Sequence, residues 1–168
     1  MANGPAPAVP GGRLRVHVDN FSALGPVFEV TPERWRAALE RRPDVAERVE
    51  VTFSRDGEGL AEGLADADAL FCWDVPRRDL AARAPNLKWL HVHAAGVSHL
   101  VPLDWLPRDV ALVNSRGVHG ERAAEYAMMA VLMLNNRVPE MVTNQRAGRW
   151  EQLFNTAIGG KTLLIVGV

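Results

Sequence analysis

Leu87-Lys88-Trp89-Leu90-His91-Val92-His93-Ala94-Ala95-Gly96-Val97-Ser98-His99-Leu100 is an apolar run that gives way to small residues and a glycine. The first part, Leu87 to Val92, reads as a buried strand, and Ser98 is placed to cap a short helix after the turn. Small side chains at the turn leave the backbone N–H groups of Ala95, Gly96 and Val97 open to a carboxylate or phosphate. By spacing alone the same glycine could serve only the φ angle of a tight turn. The period of a strand puts His91 and His93 on one face. A metal site using His99 as third ligand would need an Asp, Glu or Cys that this stretch does not offer, so the histidines read as core or rim residues.

Working outward, strand-like runs alternate with helix-like ones. Leu14 to Val18 is a short strand ending at Asp19-Asn20. Thr31-Pro32-Glu33 supplies an N-cap, a proline in the first turn and an acid at the positive helix end, with Trp35, Ala38 and Leu39 at helical spacing behind. Val49 to Phe53 reads as a second strand, Leu60 and Leu64 as a short helix, and Ala67 to Trp73 as a third strand. Pro76 to Ala84 reads as a helix, Leu87 to Val92 as the fourth strand and Val110 to Val113 as a fifth. This order predicts an α/β fold with a parallel sheet covered by helices on both faces. Ligands of such sheets bind beyond the carboxyl ends of the strands, which singles out the loops after Val18, Trp73 and Val92.

The remaining third has a different character. Ala123 to Leu134, AAEYAMMAVLML, holds one charge, Glu125, and predicts a helix needing cover from more than one direction. Arg137 to Arg149 reads as a more amphipathic helix. After Gly159-Gly160, Lys161 to Val168 (KTLLIVGV) reads as a buried strand reaching the first glycine of a dinucleotide-binding turn, Gly167. The division expected is a disordered leader over 1–12, one domain over 13–113 and the start of a second over 114–168.

Composition narrows the function classes. With 168 residues the chain has room for one sizeable domain plus part of another. A formal charge of -1, with 19 basic residues scattered, argues against nucleic-acid or membrane-surface binding by bulk electrostatics. One cysteine, Cys72, excludes an intramolecular disulfide and reads as a small buried hydrophobe. The leader lacks the basic-then-apolar pattern of a signal peptide, and no run approaches a membrane span of roughly 20 apolar residues. A cytoplasmic protein is expected.

Taken together, LKWLHVHAAGVSHL, VALVNSRGVHGERAAEYAMMAVLML, NQRAGRWEQ and GGKTLLIVGV resemble successive motifs of the D-isomer-specific 2-hydroxyacid dehydrogenases over roughly residues 65 to 168. The resemblance implies a flavodoxin-like substrate domain followed by the beginning of a Rossmann domain for NAD or NADP. It implies hydride transfer between nicotinamide and a small 2-keto or 2-hydroxy acid. In the family, the loop matching Ala95, Gly96 and Val97 grips the substrate carboxylate through backbone amides. His119 falls where a polar residue often lies near nicotinamide and substrate, so it is an auxiliary candidate, against a capping or solvent-facing role. Glu125 matches a frequent Ala-Glu pair with a structural role. The apolar helix is expected to pack across a two-fold homodimer. Ser98 stands where members commonly carry Asp.

The family's catalytic Arg, Glu and His come after the cofactor glycines and match nothing in these residues. Gly167 is the one cofactor-turn position matched, so NAD and NADP are not distinguished. The 168 residues are accordingly expected to be cut off where the cofactor site begins, to hold dinucleotide weakly and to be inactive alone. Two rival readings stand. One is a non-catalytic dimerisation or nucleotide-sensing, corepressor-like module. The other is a phosphoacceptor receiver domain using Asp19 and Asp74, although its fifth-strand lysine has no counterpart.

Overall fold

A computed structural model of the protein describes residues 12–166. The chain divides into two compact units after Gly117. Most of the leader, together with Gly167 and Val168, lies outside the described residues.

The first unit is built on β1 (Leu14–Asn20), β2 (Val49–Arg55), β3 (Ala69–Cys72), β4 (Trp89–Val92) and β5 (Ala111–Asn114). All neighbours pair in parallel, in the order β2-β1-β3-β4-β5. This is the flavodoxin-like order, in which direction of winding reverses beside β1. The connections carry α1 (Pro32–Glu40), α2 (Pro43–Ala46), α3 (Leu60–Asp66) and α4 (Leu80–Arg83). As the sequence predicts, the Thr31 hydroxyl accepts from the Arg34 N–H at 3.3 Å, with Pro32 opening α1.

Strand alternation splits the core between the two faces. One face buries Leu70 and Cys72 of β3 and Leu90 and Val92 of β4 against Leu60, Leu64, Leu80 and Leu100. The other packs Val16, Val18 and Ala69 with Trp35, Phe53, Phe71 and Trp89. On the first face, β1 and β2 present polar residues instead. His17 Nδ1 lies 2.7 Å from Thr52 Oγ1, and its Nε2 lies 2.8 Å from Ser54 Oγ. The Ser54 hydroxyl donates to Asp19 Oδ1 at 2.5 Å, so it accepts from Nε2–H and leaves Nδ1 to accept from Thr52. Every member of the chain is satisfied with a neutral imidazole, whose pKa burial lowers.

Gly63 of α3 sits directly on that ring. A Cβ at Gly63 would come within 2.1 Å of His17 Cε1, so the helix can pack only without a side chain there.

Three expectations change. The helix expected over Pro76–Ala84 shrinks to α4, because Asp79 takes a left-handed φ of 53° and stops the helix from beginning earlier. Ser98 does not cap: it lies inside a one-turn 3-10 helix, Ser98–Leu100, which has Val97 before it and no side-chain cap bond. The strand expected from Lys161 is not formed over residues 161–166, which are exposed and without strand pairing. A strand needs a neighbour to take its N–H and C=O groups, and among the described residues of this second unit there is none.

The second unit consists of α5 (Gly120–Asn135), α6 (Val138–Arg146) and the segment that follows. Arg137, at φ 55°, makes the sharp link between the helices. Buried Asn144 closes the segment after α6. Its Oδ1 accepts from Arg149 Nε at 2.9 Å and its Nδ2 donates to Glu151 at 3.1 Å. On α5, Tyr126, Met128, Met129, Leu132 and Leu134 stay exposed.

Gly63→Ala tests the packing of α3. An exposed helical Gly→Ala change gains about 1 kcal/mol, whereas here overpacking against His17 is expected to lower stability by about 1–3 kcal/mol. Urea unfolding reads the sign, and a raised midpoint would contradict the described packing.

Candidate functional site

The five parallel strands of the first unit end at one rim, and the loop after β4 is its most distinctive part. Ala95 and Gly96 are exposed and Val97 is half-buried. The carbonyls of Ala94, Ala95 and Val97 are tied down. Ser115 N–H donates to Ala94 O at 3.1 Å, and the Asn114 side-chain amide donates to Ala95 O at 2.9 Å. Leu100 N–H takes the Val97 carbonyl at 2.9 Å. The N–H groups of Ala95, Gly96 and Val97 make no hydrogen bond among the described residues. Three successive donors without internal partners, on a loop fixed through its acceptors, suit an anionic ligand with two oxygens.

Gly96 is informative about why the sequence carries glycine here. It is not among the positive-φ residues, and a Cβ would meet nothing within 4 Å. The turn therefore does not require glycine for its backbone angle, nor does packing exclude a side chain. Open space over a row of unpartnered amides is the remaining reason.

The histidines belong to the strand that leads into this loop, His91 within β4 and His93 directly after it. Phe71 stacks with His91 (centroids 4.4 Å apart) and tilts against His93 (4.3 Å). His91 Nε2 meets Ser115 Oγ at 3.1 Å. His93 Nε2 is buried with no hydrogen-bond partner among the described residues. Burial, then the neighbouring His91, lowers the His93 pKa to about 4, and burial lowers that of His91 as well. Both rings are neutral near pH 7. No group of three metal-ligating side chains occurs among the described residues.

A second rim feature escaped the sequence reading. The segment Gly25 to Val30 crosses the carboxyl end of the sheet as a strap. Asn20, at the end of β1, donates to Val30 O at 3.1 Å and accepts from Val30 N–H at 2.8 Å. Arg34 donates to the carbonyls of Pro26 (2.7 Å), Val27 (3.3 Å) and Glu29 (2.6 Å), and Arg55 pairs with Glu29. Phe28 on this strap packs against Trp73, centroids 5.8 Å apart and tilted by 59°. No short motif announces such a strap, since its anchors come from three separate elements.

The other expected positions are placed as follows. His119 is exposed at the N-cap of α5, without a side-chain cap bond, in the second unit. Gly167 lies outside the described residues. Cys72 is buried, and desolvation raises its thiol pKa, as fits a packing residue. Asp19 is buried in the His17 network and also accepts from Gly57 N–H at 3.4 Å, whereas Asp74 is exposed. A receiver's metal-binding acidic cluster is thus not assembled from these two among the described residues.

Titration checks the histidine geometry. Because the folded His93 pKa (about 4) lies below its ordinary 6.5, the unfolded chain binds the extra proton between these values. Stability from a neutral His93 is complete above pH 6.5 and falls as pH drops towards 4. Replacing His93 with Leu is expected to flatten this part of the pH profile of thermal unfolding. An unchanged profile in the variant would contradict the burial of the ring.

No family model matches the sequence. It is 25% identical over 150 residues to a glyoxylate reductase of Thermofilum pendens, covering 84% of this chain and 44% of that protein. Among solved structures, a D-isomer specific 2-hydroxyacid dehydrogenase from Xanthobacter autotrophicus Py2, in complex with NADPH and MES, superposes with a TM-score of 0.62 at 27% identity. That match covers 84% of this chain and 42% of the other. An NADPH-dependent glyoxylate/hydroxypyruvate reductase from Sinorhizobium meliloti, in complex with NADP and sulfate, gives 0.56 at 25% identity over 84% and 42%. The chain spans less than half the length of these relatives. In sequence and in its parallel β2-β1-β3-β4-β5 sheet, the chain is similar to the D-isomer-specific 2-hydroxyacid dehydrogenases.

Proposed function

We propose that this chain supplies the acid-gripping part of an NAD- or NADP-dependent oxidoreductase that interconverts a small 2-oxo acid and its 2-hydroxy acid. The observation that carries this reading is the loop at Ala95, Gly96 and Val97, whose three amides lack partners among the described residues while the carbonyls of Ala94, Ala95 and Val97 are held by Ser115, Asn114 and Leu100. A carboxylate gripped by backbone N–H groups is oriented without adding a side chain that could compete for the reacting carbonyl. The nicotinamide, when bound, supplies or accepts the hydride. Gly167 is the position of this sequence that would approach its pyrophosphate.

In this reading residues 13–113 form the substrate domain and 114–168 begin the cofactor domain. His119, exposed at the start of α5, offers a polar group for the substrate or nicotinamide side. The apolar surface of α5, with Tyr126, Met128 and Leu134 exposed, meets a second copy in a homodimer. No helix among the described residues is long and apolar enough to cross a membrane, which is compatible with a cytoplasmic enzyme. The runner-up is a nucleotide-sensing relative that keeps the fold without turnover.

The test is NADH or NADPH oxidation by the full-length protein with glyoxylate, hydroxypyruvate or pyruvate. Turnover is expected with at least one of them, and Gly96→Val is expected to raise KM about tenfold or more, the loss of a hydrogen bond to a charged group. The melting temperature should hardly change, because a side chain at Gly96 meets open space. Dinucleotide binding without turnover of any acid would favour the sensor.

A further inference from the structure

We propose that Phe28, held by the Gly25–Val30 strap, forms with Trp73 the wall that selects the 2-oxo acid by its C3 substituent, favouring a branched apolar one over none. This rests on the carboxylate reading of Ala95–Val97 and adds what lies at the other end of the ligand.

The strap is fixed from three directions: by both hydrogen bonds of Asn20 to Val30, by Arg34 to three carbonyls and by Arg55 to Glu29. So much polar anchoring holds side chains that the core does not bury. Phe28 remains 43% exposed and Val27 73%. An aromatic ring held rigidly yet half in water contributes little to folding and is available to a ligand.

Its position links it to the amide loop. Trp73 directly follows β3 and His93 directly follows β4; the two strands are paired, Cys72 beside Val92, and His93 N–H donates to Cys72 O at 3.0 Å. Phe28 lies over Trp73, and its backbone is close enough to His93 to act on that ring. The backbone that carries Trp73 therefore runs one strand away, roughly 5 Å, from the strand whose next residues are Ala94 to Val97. A carboxylate on those amides leaves the rest of a short acid within reach of an aromatic surface. The faces of Phe28 and Trp73 reward apolar carbon. Glyoxylate, which has no C3, gains nothing from them.

The experiment uses two probes, 4-methyl-2-oxopentanoate and glyoxylate, titrated into the chain while the amide resonances of Ala95, Gly96 and Val97 and the Trp73 indole are followed. The branched acid is expected to bind about tenfold more tightly than glyoxylate. It should also shift the indole, and Phe28→Ala should bring the ratio to about one, with Phe28→Leu keeping most of it. Equal affinities in the unaltered chain, or a ratio that survives Phe28→Ala, would overturn the wall while leaving the carboxylate reading intact. If neither acid moves the three amides, the carboxylate reading itself fails and the wall falls with it.

Discussion

Two hydrogen bonds set the geometry of the loop after β4: Asn114 to the Ala95 carbonyl and Ser115 N–H to the Ala94 carbonyl. A peptide plane presents its donor opposite its acceptor, so holding the carbonyls of a loop fixes where its N–H groups can go. The two anchoring residues stand at the end of β5, paired beside β4 through Val92 and Asn114. A crossover of nearly twenty residues separates the anchors from the loop in sequence, and only the parallel sheet brings them together. The proposed acid site is therefore a property of the sheet's edge, and it depends on the apolar packing that closes the sheet.

That packing is uneven across the sheet. Beneath β3 and β4 it is made of Leu and Val, which tolerate small volume changes at modest cost. Beneath β1 and β2 it is a closed polar chain, Thr52–His17–Ser54–Asp19, roofed by Gly63. Buried polar groups are stable only when every donor and acceptor is matched, so this half of the sheet is specified geometrically rather than by hydrophobic volume. Asn20 and the strap continue from the same strand. The corner at β1 and the strap at the sheet's carboxyl rim are thus mechanically continuous.

Much of the architecture was legible in the sequence because burial on both faces leaves unbroken apolar strands separated by helical spacing. Leu14–Val18, Val49–Phe53 and Leu87–Val92 were all found this way, each displaced by no more than a few residues from the observed bounds. The amide loop was legible too, as a run of small residues after a strand. The shorter α4 was not, because the left-handed turn at Asp79 is a non-glycine residue in a conformation more often taken by glycine. Neither were the Phe28 strap and the His17 network, whose partners are distant in the chain and ordinary in composition. The run LLIV after Lys161 has the composition of a buried strand, yet pairing depends on a neighbour that residues 118–166 do not provide. Local preference identified that segment's character, and tertiary context decided its form.

The proposed function rests on a carboxylate held by the backbone of Ala95, Gly96 and Val97. A crystal structure of the protein with oxamate, an unreactive mimic of a 2-oxo acid, tests it most directly. The account predicts carboxylate oxygens at hydrogen-bonding distance from at least two of these three N–H groups. Oxamate bound elsewhere, with the three amides facing only solvent, would contradict it.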